Sequence, residues 1–383
     1  MVRHMFNRHD AKRDRLMLTG KLARQGYDRW WHSFTAVDEN GFEKPFFIEF
    51  FACNPALSRD EAVIGRLPKN IGSGRRPSYL MVSVGCWGDD GALLRRFVPW
   101  KDVESHAGVP YSIAGAGCFC DETSTHGHVS VSEEDAEAHP EWMCDAGDMK
   151  WDLRIDKRIT YNAGRGTGGL FHAAKPTETS WHAEGMKTVY SGTITYNGRE
   201  YRASHESCYG YADKSWGSGL SCPWIRLISC DLVSKNAGKR LSNSCLAMIG
   251  EKSGTDWNVL GGMFYEGECL EFSSSKHRSG EGTTLEFKAG GSRTSWRVSH
   301  AGREERFVAD VECLGKDVMR TGYESPDGKA ADVVWIGGNG SGMLRLYRGN
   351  ELVDEILIGH VICEYCPEET AYPITEAART ESK

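Results

Sequence analysis

Alternation of apolar and polar residues, broken at short intervals by glycine turns, runs through most of this chain and leaves few ways to fold it. Successive side chains leave a strand on opposite faces, so a two-residue period marks a strand with one face buried. The pattern covers Phe46–Phe51, Tyr79–Val84, His128–Ser132, Met149–Ile155, Thr188–Tyr196, Trp224–Leu232, Cys245–Ile249, Trp257–Tyr265, Ser295–His300, Phe307–Cys313 and Gly342–Tyr347. Glu39-Asn-Gly41, Tyr196-Asn-Gly198, Pro326-Asp-Gly328 and Asn339-Gly340 read as hairpin turns, whose glycines accept a positive φ. One helix is expected over Ser132–Ala138, with a Ser cap, acids in its first turn and a stop at Pro140. The chain is therefore read as all-β.

More than ten strands exceed one small barrel, and 383 residues suit two antiparallel barrels of about 8–10 strands each. The glycine-rich Gly164-Arg-Gly-Thr-Gly-Gly169 places the expected break between a barrel over 27–169 and another over 170–367. That stretch lacks the Lys-Ser/Thr ending and following helix of a phosphate loop, so no nucleotide is expected there. The charged flanks, 1–26 and 368–383, are expected to be loose.

A net charge of -7 without a long basic run argues against nucleic acid as a partner. No stretch reaches the roughly 20 apolar residues that span a bilayer, and the basic start lacks the apolar core of a secretory signal. The expected location is cytoplasmic. The thirteen cysteines are accordingly read as reduced, several of them buried in apolar runs. Cys118-Phe-Cys120 and Cys363-Glu-Tyr-Cys366 differ in spacing and lie far apart, so no metal site is expected.

The densest chemistry lies in Tyr209-Gly-Tyr-Ala-Asp-Lys-Ser-Trp-Gly217, followed by Cys222-Pro-Trp224. On an extended backbone Tyr211, Asp213 and Ser215 leave one face and Ala212, Lys214 and Trp216 the other, so one charge points inward unless the segment is a turn. Glu49 and Trp151-Asp152 carry the same ambiguity; each is either directed into a pocket or the polar side of an alternating strand.

Trp181-His-Ala-Glu-Gly-Met186, the Asn-Gly hairpin after it, and Tyr211–Gly217 leading into Trp224-Ile-Arg-Leu-Ile-Ser-Cys230 resemble the central block of the tocopherol cyclase-like family. Weaker likeness at Phe46–Phe50, Trp151–Leu153 and Gly340–Tyr347 extends the resemblance over roughly Tyr27 to Cys366. Asp213 stands where the cyclases have Glu, Ser215 where they have Asn, and Leu220-Ser221 replaces an aromatic-proline step. The resemblance implies two lipocalin-like barrels in tandem, as in the related carotenoid hydratase and AttH-like proteins. It also implies an acid at position 213.

Such a scaffold suits acid-catalysed cyclisation, hydration or isomerisation of a hydrophobic unsaturated molecule, prenylated or polyphenolic, with no cofactor. Asp213 is the candidate acid, kept protonated by desolvation. Trp181, Trp216 and Trp224 would stabilise cationic character by about 0.5–2 kcal/mol per ring. Tyr211, Glu49 and Trp151 complete the candidate substrate-binding set. Lys214 would spoil the acid if paired with it directly; separated, it could meet Glu184 or Glu49, and a structural ion pair is the competing reading. His182 is the candidate base or proton relay. A non-catalytic lipid or terpenoid carrier and a shape template that folds a polyene without proton transfer are the rivals. Nothing in the sequence decides the oligomeric state.

Overall fold

The computed structural model describes residues 13–161, 179–219, 224–253, 256–273, 282–288, 292–302, 305–329 and 331–366. Gly164–Gly169, residues 1–12 and the tail from 367 lie outside them. Two antiparallel sheets account for nearly all of the rest.

The first sheet contains β1 (Tyr27–Asp38), β2 (Glu43–Cys53), β3 (Tyr79–Cys86), β4 (Ala92–Val98), β5 (Val103–His106) and β6 (Ser112–Gly115). It continues through β7 (Cys118–Asp121), β8 (Ser124–Val131), β9 (Gly147–Tyr161), β10 (Thr179–Tyr196), β11 (Arg199–Ala203) and β12 (Gly210–Gly217). Its order is β4-β3-β2-β1-β11-β10-β9-β8-β7-β6-β5, and β12 pairs with both β1 and β10. The sheet curls until β4 lies against β8 and β9.

The second sheet contains β13 (Trp224–Ser229), β14 (Asp231–Ser234), β15 (Lys239–Arg240), β16 (Cys245–Ser253), β17 (Asp256–Tyr265) and β18 (Glu268–Ser273). To these it adds β19 (Gly282–Lys288), β20 (Arg293–Ala301), β21 (Glu305–Leu314), β22 (Val318–Glu324), β23 (Ala331–Arg348) and β24 (Glu351–Cys366). The main path runs β18-β17-β16-β13-β24-β23-β21-β20-β19, and its two edges meet where β17 and β18 approach β19. Both sheets are thus barrel-like.

Three apolar layers follow from this arrangement. One fills the first barrel around Trp30, Phe34, Phe46 and Trp151, and one fills the second around Trp296, Phe307 and Leu344. The third lies between the barrels and draws on both, with Trp31, Phe47, Trp87 and Trp181 from the first and Trp224, Tyr323 and Ile336 from the second.

Local expectations hold where the chemistry is short-range. Asn197 and Gly198 both take positive φ, 47° and 80°, as a type I′ hairpin needs. Ser132 caps the helix Glu133–Ala138 by accepting from the Asp135 amide at 3.0 Å. Asn339-Gly340, by contrast, lies within β23, where register shifts at Gly337, Gly340 and Gly342 mark bulges in place of the expected turn. The expected barrel boundary also moves. β10 pairs along most of its length with β9, and β12 fills the space between β1 and β10, so the first sheet ends at Gly217 and the second begins at Trp224. Residues 13–26 are not loose either, since Asp14 and Leu18 are buried. Cys366 is disulfide-bonded, which corrects the reduced reading for that residue, whereas eleven described cysteines are free.

Trp87 shows how closely the barrels meet. Its indole donates to the Ile336 carbonyl at 3.0 Å and lies flat on Gly338, where an added Cβ would stand 2.0 Å from the ring. Gly338→Ala is expected to destabilise the protein by about 1–3 kcal/mol through overpacking, read as a lower urea midpoint. A variant unfolding with the wild type would show that the ring can move aside.

Candidate functional site

Strand alternation sorts the charged residues into two compartments. On β12, Tyr211, Asp213 and Ser215 face the layer between the barrels and Lys214 faces the interior of the first barrel. Trp31 on β1 pairs with Asp213 on one side and Glu49 on the other, so the three form a row across adjacent strands. On β10, Trp181 pairs with Ser215 and faces the same layer, while the next residue, His182, pairs with Lys214 and points into the barrel.

In the inter-barrel layer, Asp213 Oδ2 accepts from Trp181 Nε1 at 3.0 Å and from the Tyr211 hydroxyl at 2.8 Å, and Arg226 Nη1 stands 3.3 Å away. Arg226 also meets Glu364 at 2.8 Å, and Glu364 meets Arg29 at 3.3 Å. Arg29 then contacts Glu49 at 2.5 Å, and Glu49 accepts from the Tyr323 hydroxyl at 2.8 Å. A chain of alternating sign therefore joins the barrels through a buried aromatic layer. Arg95 reaches it as well, through Thr321 and the face of Tyr323.

Burial alone would pull both guanidiniums down. Tyr323, Glu364 and Glu49 leave Arg29 well above the ordinary arginine value, and Asp213 and Glu364 raise Arg226. Burial, reinforced by the Asp213 charge, pushes the Tyr211 phenol well up, so it remains a hydrogen donor. All three partners of Asp213 Oδ2 bring it a hydrogen or positive charge. That is the setting of an acceptor, and it opposes the expected role as a proton-donating acid. Asp213 Oδ1 and Arg226 Nε have no hydrogen-bond partner among the described residues.

The other sequence candidates divide accordingly. Trp224 borders the layer with the Arg226 guanidinium 5.3 Å from its ring centroid. Glu49 is buried because β2 is covered on both sides, by the first barrel's core and by the inter-barrel layer. Lys214 pairs with Asp28, instead of Glu184 or Glu49, and sits between the rings of Trp30 and Trp216 at 4.4 and 5.1 Å. It is thus separated from Asp213 by the thickness of a strand. Trp151 belongs to the first barrel's core, where its Nε1 donates to Thr125 at 3.0 Å, so the structure does not bring it to the layer.

Arg226 and Glu364 are the residues that motif reading left out. Each stands alone in an apolar strand, in Trp224-Ile-Arg-Leu-Ile and Val361-Ile-Cys-Glu-Tyr365, the same signal that singled out Glu49. Among the described residues, no group of three or more His, Cys, Asp or Glu side chains could hold a metal, and no helix is long and apolar enough to cross a membrane.

No protein-family model matches the chain, and no curated protein does. Two solved structures are similar over most of it. An AttH-like protein of Nitrosomonas europaea shares 12% identity and a TM-score of 0.45, covering 88% of this chain and 91% of that one. Kievitone hydratase of Nectria haematococca shares 11% identity and a TM-score of 0.44, covering 88% of each chain.

Proposed function

We propose that the layer between the barrels binds a hydrophobic small molecule bearing a hydroxyl or carbonyl oxygen and moves a proton on it. Asp213 Oδ1 is the base in this reading, and Arg226 Nε–H holds the oxygen on which negative charge develops. Tyr211 and Trp181 fix the carboxylate through its other oxygen, which leaves Oδ1 for the substrate. The observation that carries the reading is the pair of orphaned polar atoms, one acceptor and one donor, on neighbouring side chains inside an aromatic layer. Buried polar atoms without partners are rare, because each forfeits about 1–3 kcal/mol of solvation unless a ligand or water replaces it.

The chemistry this suits is addition, elimination, cyclisation or isomerisation next to a carbonyl or phenol, with prenylated or polyphenolic compounds as the substrate class. Positioned proton transfer of this kind contributes about 10²–10⁴-fold. A second reading is favoured by the unbroken ion chain from Asp213 to Glu49: the network fixes one barrel to the other, and the layer only carries a ligand.

Deuterium uptake from heavy water, followed by mass spectrometry across a panel of enones and prenylated phenols, tests the two. Asp213→Asn is expected to retain ligand, seen as quenching of tryptophan fluorescence, and to lose turnover on the order of 10²-fold or more. Equal turnover in the variant would sink the proton-transfer reading and leave the carrier or template.

A further inference from the structure

The first barrel encloses a second ionic cluster that the inter-barrel layer does not use. Lys157 Nζ on β9 lies 2.8 Å from Glu184 Oε2 and 3.5 Å from Asp14 Oδ2, and His182 Nε2 lies 3.2 Å from Asp14 Oδ1. Lys214 and Asp28 form a pair beside them. Glu184, His182, Lys214 and Asp28 are wall residues of the barrel, as is Lys157. Asp14 is not. It enters from the segment ahead of β1, held there by Trp30 Nε1 donating to its carbonyl at 2.6 Å and by the Met17 amide donating to Asp28 at 2.5 Å.

The insertion of Asp14 changes the charge balance inside the barrel. The wall alone is balanced, with Lys157 and Lys214 against Asp28 and Glu184. Asp14 adds a third carboxylate where an uncompensated buried charge is very costly, so one proton must accompany it. In this reading the proton sits on Glu184, where burial pushes the carboxyl up to about 8 against the pull of Lys157, with Asp14 adding to the rise. Asp14 is held at about 2, since Lys157 and His182 outweigh its burial. His182, 3.2 Å from Asp14, and Asp28, which burial raises against the pull of Lys214, are the other groups of the cluster able to hold a proton; the remaining neighbours are not. Burial, then Lys157, drives His32 on β1 down to about 3, and burial pushes the Cys120 thiol and the Tyr111 and Tyr190 phenols up, so all four stay neutral.

One further atom keeps the cluster from closing on itself. His182 Nδ1 is buried and has no hydrogen-bond partner among the described residues, while Glu184 meets Asp14 carboxyl to carboxylate. We propose that the first barrel contains a carboxylic-acid site, one that takes a carboxylate together with a proton, and that the chain's own Asp14 fills it. A small organic acid entering this barrel would displace Asp14 and keep Glu184 protonated in the same way.

Chemical rescue tests this in the full-length protein. Asp14→Gly is expected to melt several degrees below the wild type. Acetate should restore the melting temperature saturably, more at pH 6 than at pH 8.5, while chloride at equal ionic strength should not. Asp14→Asn, which fills the space without the charge, should not respond to acetate. Identical effects of acetate and chloride on Asp14→Gly, or a glycine variant as stable as the wild type, would overturn the proposal. If that variant does not fold, Glu184→Gln in the otherwise native chain decides. The folded state binds a proton at Glu184 that the unfolded state releases above about 4.5. Wild-type stability should therefore fall as pH rises toward 8, and the glutamine variant should lose this slope. Equal slopes in the two proteins would refute the proton coupling.

Discussion

Arg226→Met is expected to destabilise the protein by about 3–5 kcal/mol, the range found when one member of a buried ion pair is removed. The loss comes less from the missing attraction than from what remains. Asp213 and Glu364 would stay inside the aromatic layer, 0% exposed, without the guanidinium that lies 3.3 and 2.8 Å from them. Arg226→Lys should recover only part of the stability, because a single ammonium cannot reproduce a planar fork that meets two carboxylates. Adding Asp213→Asn to Arg226→Met should return part of the loss, since it removes one stranded charge, and the coupling is read from a double-mutant cycle. Urea midpoints supply the measurement. An Arg226→Met variant with wild-type stability would show that water reaches these carboxylates, and the dry-layer basis of the proposed function would go with it. Arg293→Ala is the contrasting control, because Arg293 and Glu312 are each about half exposed and such pairs contribute about 0–1 kcal/mol.

The fold was legible wherever the signal is local. Alternation located the strands, and Asn197-Gly198 located a hairpin, because both depend only on neighbouring residues. Alternation also gave the opposite faces of Asp213 and Lys214 correctly. What no short window could reveal is which face meets what. Glu49 looks like the polar side of a half-buried strand until β2 is seen covered on both sides. Arg226 and Glu364 meet across 138 residues of chain as paired neighbours on β13 and β24, and Arg29 reaches Glu364 across 335 residues only after the barrels dock. The sheet boundary was misplaced for a related reason. The glycine-rich stretch signals flexibility in the backbone, but membership of a sheet is decided by pairing, and β12 finds its partners in β1 and β10. The acceptor role proposed for Asp213 rests on the same non-local fact, because Arg226 arrives from the other barrel.

A second contact between the barrels should weaken as pH rises. His360 donates through both ring nitrogens, Nδ1 to Asp231 at 2.6 Å and Nε2 to Glu43 of the first barrel at 2.5 Å, an arrangement that requires the imidazolium. Its ring stacks on Tyr209 with centroids 4.5 Å apart, on a backbone of φ 47° that favours glycine or asparagine. Burial would lower its pKa, but the bonds to Asp231 and Glu43 raise it from 6.5 to about 9. A group whose folded pKa exceeds its unfolded value contributes fully below the unfolded value and loses that contribution as pH rises through the folded one. The latch should therefore stabilise the protein below about pH 6.5 and fade between there and pH 9, by on the order of 2 kcal/mol once partial exposure is allowed for. His360→Asn tolerates the backbone and removes the titration, so its stability deficit relative to the wild type should be largest at pH 6 and shrink toward pH 10. A deficit constant across that span would mean that the ring acts through stacking on Tyr209 alone, with no charge shared between the barrels.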